Sequence, residues 1–165
     1  QRGTDGVDHF YSHEKQSAQL AKAACQRLRL DHVTADAVVC LVGHHHLPMA
    51  PESPLVKRRL NQLGPSLFFQ LLEVKRADCR AQAPSVQYRL AELAAVEALA
   101  KKLLDERACF SLKDLAVGGN DLLSLGLPSG PALGKALKAL LQLVMDEELP
   151  NEREALLTYC EAKFL

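Results

Sequence analysis

One stretch, residues 109–145, CFSLKDLAVGGNDLLSLGLPSGPALGKALKALLQLVM, limits the possible folds of this chain more than any other. Gly118, Gly119, Gly126, Pro128, Gly130, Pro131 and Gly134 fall between short leucine-rich runs, so no long element can form before Pro131. Ser111-Leu112-Lys113-Asp114 predicts a capping box at a helical turn. Asn120 predicts a cap for a brief helix over 121–125, and Gly126 suits the left-handed residue that ends it. The turn at 127–131 then leads into a long helix with Pro131 near its first position. Leu133, Leu137, Leu140, Leu141 and Val144 form the apolar stripe of that helix. Backbone N–H groups are bare at such a helix start, and together with the helix dipole and Lys135 they favour an anion. Gly130 and Gly134 would let a phosphate approach the backbone closely. A plain helical hairpin closed by glycine caps accounts for the same spelling.

The rest of the chain reads as helices as well. Residues 1–9 are a loop, followed by a helix to about Arg29 with Ala21, Ala24, Cys25 and Leu28 on one face. Thr34 caps a second helix whose buried core is Ala37 to Val42, and His44, His45 and His46 end it. Ser53-Pro54 starts a third, with Val56, Leu60 and Leu63 inside and Gly64 as the stop. Leu67, Leu71, Val74 and Asp78 mark one row of a helix over 66–82. Pro84-Ser85 opens another, over about 86–107, with Leu90, Leu93, Ala94, Ala100 and Leu104 as its stripe. Asn151 and Glu154 cap a last helix. Leucine and alanine dominate, tryptophan is absent and no convincing strand appears. The fold class is therefore all-α, a helical bundle followed by a small helical region, with the boundary near Ala108 giving domains 1–108 and 109–165.

The net charge is zero, so contacts with nucleic acid must come from local patches. Residues 1–110 hold 15 Lys/Arg against 12 Asp/Glu, and residues 111–165 hold 5 against 8. Lys57, Arg58 and Arg59 are phosphate-contact candidates in the more basic part; a solvated helix face is the alternative. Five dispersed cysteines without a C-x-x-C pair point to free thiols in a reducing cytoplasm. No run suits a membrane span or a signal peptide, and a chain that starts at Gln1 reads as a piece of a longer protein. His13 stands at a helix entrance, His45 at a helix end, and Asp78 on an otherwise apolar row. Two imidazoles and a carboxylate are a ligand set for a divalent ion. A helix C-terminus favouring positive charge at His44 to His46, and an ion pair of Asp78 with Arg76, Arg80 or another basic side chain, are the alternatives.

The segment SLKDLAVGGNDLLSLGLPSGPALGKALKALLQLVM resembles the C-terminal tail region of bacterial CCA-adding tRNA nucleotidyltransferases of the poly(A) polymerase-like family. The likeness includes the Leu-Gly-x-Pro-x-Gly-Pro core at Leu125 to Pro131 and the Gly134 that follows. FYSHE, LVGHHHLP and LLEVKRADCRAQ resemble the later part of an HD domain, a helical metal-dependent phosphohydrolase fold. That second resemblance implies His13, His45 and Asp78 as remaining metal ligands; His46 stands where relatives often carry Asp, and the His-Asp doublet of the family is absent. The first resemblance implies tRNA as partner, with ATP, CTP and catalytic Mg bound by a head that this chain does not contain. The parent would then be a nucleotidyltransferase and this portion would be inactive alone. An HD-type phosphohydrolase and a non-catalytic helical interaction module are the other two readings.

Overall fold

The computed structural model describes residues 13–82 and 87–164, and nothing is said of the side chains of residues 13–15. The loop expected at residues 1–9 and the helix start expected at Pro84-Ser85 lie outside these. The described residues form seven helices and no strand. They fall into two compact units. One takes residues up to Pro48 together with Ser66–Gln87, the other Met49–Pro65 together with Tyr88 onward.

In the first unit α1 (His13–Arg27) and α2 (His32–His44) form a hairpin. Asp31, not Thr34, caps α2: its carboxylate accepts from the Thr34 N–H at 3.0 Å and the Thr34 hydroxyl at 2.6 Å. Those two bonds, the hydroxyl first, hold the Asp31 carboxyl below the usual carboxylate range. The expected buried core at Ala37 to Val42 is only half-buried. Helix α3 (Ser53–Ala81) contributes its second half to this unit, and there Phe68, Leu71, Leu72 and Cys79 point inward. The expected row of Leu67, Leu71, Val74 and Asp78 is therefore rotated: Val74 and Asp78 are exposed.

The second unit begins with the first half of α3, which buries Val56, Leu60 and Leu63 as expected. Gly64 breaks the helix at φ +71°, ψ 159°, and the chain turns helical again after Pro65. Helix α4 (Arg89–Asp105) buries Leu93, Val96, Ala100 and Leu103, so Ala94 stands outside the seam expected for it. Helices α5 (Gly119–Ser124), α6 (Pro131–Met145) and α7 (Arg153–Phe164) then close round one cluster. Its members include Val117, Leu122, Leu127, Ala136, Leu140, Leu141, Val144, Leu156 and Cys160.

Three local expectations in this region change. Residues 111–116 are turns, not a helical start; the Asp114 carboxylate plays its expected part, but the Asp114 N–H is taken by the Ser111 carbonyl at 3.0 Å and not by the Ser111 hydroxyl. The carboxylate accepts from the Ser111 N–H at 2.9 Å and from the Ser111 hydroxyl at 2.7 Å. Helix α5 starts at Gly119, two residues before the expected position, with the Gly118 N–H donated to Asp121 at 2.7 Å. Asn151 is not a helix cap but a cross-link: its amide donates to the Asp114 carbonyl at 2.8 Å and accepts from the Ala116 N–H at 2.9 Å. Gly126 ends α5 as expected, at φ +107°. The Gly126 N–H donates to the Leu123 carbonyl and the Leu127 N–H to the Leu122 carbonyl, the paired bonds of a Schellman end.

Candidate functional site

The start of α6 is built by the turn before it. Gly130 is the cap residue at φ +106°, ψ −149°, a region that side-chain-bearing residues avoid, and Pro131 follows at the first helical position. The Gly134 N–H closes back onto the Gly130 carbonyl at 3.4 Å, the first bond of the helix. Gly130, Gly134 and Lys135 are all exposed. A Cβ added at Gly130 or Gly134 would meet nothing within 4 Å. Gly134 is thus not a packing glycine, although it stands inside a helix where glycine costs about 0.5–1 kcal/mol relative to alanine. Ala136, Leu140 and Leu141 anchor the opposite side of α6, which turns 134, 135 and 138 to solvent. Lys138, exposed one turn beyond Lys135, adds a cation that the sequence reading overlooked because a lone lysine flanking a stripe looks like ordinary solvation.

Of the other expected phosphate contacts, Lys57 and Arg58 are engaged by acidic side chains. Lys57 is buried, and its ammonium donates to Glu147 at 2.8 Å. Arg58 pairs with Asp146. Ser53 also donates to Glu147, at 2.6 Å. These three residues fasten the first half of α3 to the C-terminal end of α6, about 20 Å from Gly130 along the helix axis. The two cations also complement the negative end of the α6 dipole. The hydrogen bond from Lys57, then that from Ser53, lowers the Glu147 carboxyl pKa. Arg59 bonds Gln62 at 3.1 Å, and burial followed by its neighbour Arg58 lowers its pKa. Lys57 and Arg58 are therefore internal ties; sequence spacing showed the cations but not the acidic partners roughly 90 positions away.

The structure describes the side chains of two of the three expected metal ligands, His45 and Asp78. Asp78 faces solvent and accepts from the Gln82 amide at 2.7 Å, so the cation that a buried carboxylate would demand is not required. His45 Nδ1 donates to the Val42 carbonyl at 2.6 Å and His44 Nδ1 to the Cys40 carbonyl at 2.7 Å. Both rings thereby satisfy carbonyls in the last turn of α2. The His13 side chain lies outside the described residues. Among the described residues no three His, Cys, Asp or Glu side chains gather as ion ligands. Of the five thiols none is in a disulfide, and burial, then Asp114, pushes Cys109 up to about 11. No helix among the described residues is long and apolar enough to cross a membrane.

Comparison with known proteins bears on the family of the chain. The chain is 28% identical over 150 residues to a CC-adding tRNA nucleotidyltransferase of Thermus thermophilus, an alignment covering 91% of this chain and 33% of that protein. Shorter and stronger likenesses reach CCA-adding enzymes of two other bacteria. That of Lacticaseibacillus paracasei is 49% identical over 47 residues, 28% of this chain and 12% of the enzyme. That of Latilactobacillus sakei is 52% identical over 44 residues, 27% of this chain and 11% of the enzyme. The chain thus spans a third or less of the length of these relatives. No solved structure matches it. The family model for tRNA nucleotidyltransferase domain 2 matches residues 9–160, nearly the whole chain. With an all-α fold and that match, the chain belongs to the tRNA nucleotidyltransferase domain 2 family, the C-terminal portion of CCA-adding-type enzymes.

Proposed function

We propose that this chain is the tRNA-holding portion of a nucleotidyltransferase that adds CMP and AMP to the tRNA 3′ end from CTP and ATP. The observation that carries the reading is the open start of α6. It offers exposed Gly130 and Gly134, the backbone donors that a helix start leaves free ahead of Gly134, and Lys135 and Lys138, in a chain whose relatives act on tRNA. A phosphate can approach a helix start there without meeting a side chain, and the dipole favours its charge. Such contacts grip the backbone and shape of an RNA without reading its bases, which suits a domain that must accept every tRNA. CTP, ATP and the divalent ions that assist nucleotidyl transfer belong, in this reading, to a head elsewhere in the parent. The residues of this chain hold and orient the tRNA body while its 3′ end reacts. Free thiols accord with a cytoplasmic setting.

The test is binding of the purified chain to a labelled tRNA transcript, with an unstructured RNA of the same length as competitor. Saturable binding that the unstructured RNA does not displace is the expected result; equal competition sinks the reading. Incubation with tRNA lacking its 3′ end, labelled ATP and magnesium is expected to give no incorporation. Incorporation above background would put catalytic residues within these 165 positions.

A further inference from the structure

Helix α2 carries six apolar residues in succession, Ala37 to Val42, enough to cover every side of a helix, yet none of its residues is buried. A helix that is apolar all round belongs inside a protein. Its hairpin partner α1 buries Cys25 alone among residues 16–27. Around the hairpin, Leu20 is 72% exposed, Leu28 65% and Val33 82%. Leu20, Ala24 and Leu28 follow one another at four-residue intervals, so they share one helical face. Leu30 and Val33 extend the apolar surface through the connection into α2, and both are exposed.

We propose that the α1–α2 hairpin is the seat of a further apolar helical segment of the parent enzyme, outside these 165 residues, which completes the core around α2. This rests on the reading of the chain as one portion of a longer nucleotidyltransferase. Length names the occupant. The relative aligned over 91% of this chain is covered for only 33% of its own length, so most of an enzyme of that kind is further chain, long enough to supply such a segment. Chemistry agrees with it. The run at 37–42 holds no charge and no hydrogen-bonding side chain beyond the Cys40 thiol, so an aliphatic surface fits and an RNA backbone does not.

The triple substitution Leu20→Ser, Leu28→Ser, Val33→Ser tests this in the 165-residue chain and in the full-length parent. In the chain the three side chains are already wet, and Tm should move by less than about 2 °C. In the parent Tm should fall by at least about 4 °C, because three covered aliphatic groups become polar. Val33→Ser alone serves if the triple variant of the chain does not fold. Hydrogen exchange supplies a second reading: amides of α2 should exchange at least tenfold more slowly in the parent. Equal Tm changes, or equal exchange in chain and parent, overturn the proposal. So does a chain that is dimeric by light scattering, is made monomeric by the triple substitution, and exchanges as slowly as the parent; a second copy would then be the occupant. The tRNA binding of the same samples separates the two ideas. Retained binding with equal Tm changes sinks the hairpin proposal alone, whereas wild-type chain that never binds tRNA sinks the functional reading.

Discussion

Gly130 and Gly134 look alike in sequence and differ in physics. Gly130 needs its conformation: at φ +106° a side chain would be strained, and Gly130→Ala should cost about 1–3 kcal/mol. Gly134 has ordinary helical geometry and open space where a methyl would go, so Gly134→Ala should stabilise the fold by about 0.5–1 kcal/mol in a urea melt. The same alanine should weaken tRNA binding if a phosphate uses that opening. A more stable variant with unchanged Kd would show that the opening serves nothing. Glu147 is the counter-example, a residue kept where glycine would be easier. It sits at φ +62° just past α6, because its carboxylate holds Lys57 and Ser53. Its pKa is lowered in the fold from 4.5, so its stabilisation is whole above pH 4.5 and fades as pH falls through the lower folded value. Glu147→Gln should therefore lower Tm at neutral pH and leave a shallower loss of Tm below pH 4.5. An acid melting curve parallel to that of the wild type would argue against the pairing.

Element ends decide how this chain turns. Helices α1, α4 and α6 each close in the same paired bonds as α5, but with Arg29, Arg107 and Glu147 in the left-handed position instead of glycine. No glycine announces those three stops, and the sequence marks only the first two, near Arg29 and near residue 107. The 111–117 loop shows a different dependence. It is short of regular structure, and Asn151 at the entrance of α7 holds it by two hydrogen bonds. Asn151→Ala should cost about 1–2 kcal/mol by denaturant melt with the slope unchanged. Asn151→Asp, which keeps the acceptor for Ala116 and loses the donor for Asp114, should recover part of that loss. A loss equal to that of alanine would show that the donor carries the whole effect.

For the whole molecule, zero net charge means that the proposed affinity for tRNA has no global field to draw on. Binding should then depend on a few local contacts, and each should be visible in salt. Lys135→Ala and Lys138→Ala should each weaken tRNA binding modestly and lower the slope of log K against log salt by about 0.7–0.9. Neither should alter Tm appreciably, since both side chains are exposed. In the parent the chemical step should be kept, with KM for tRNA raised and kcat nearly constant. Unchanged slopes in both variants would leave the start of α6 as a structural turn.

The sequence by itself determined the helical class, the order of the helices, the break at Gly64, the Gly126 end and the glycine-proline start of α6. Each of these follows from local chemistry: helix propensity, missing Cβ atoms, a proline that can only begin a helix. It also carried the family, because the spelling of residues 109–145 is local too. Only the tertiary structure decided which side of each helix faces inward. Leu67, Leu71, Val74 and Asp78 and the neighbouring row of Phe68, Leu71, Leu72 and Cys79 both have helical spacing, and packing chose the second. The same holds for charge. Lys57, Arg58, Asp146, Glu147 and Asn151 look like surface residues until distant segments meet. A hydrogen bond or ion pair across 90 positions leaves no mark on the spacing of either partner, so its existence is settled only when the chain folds.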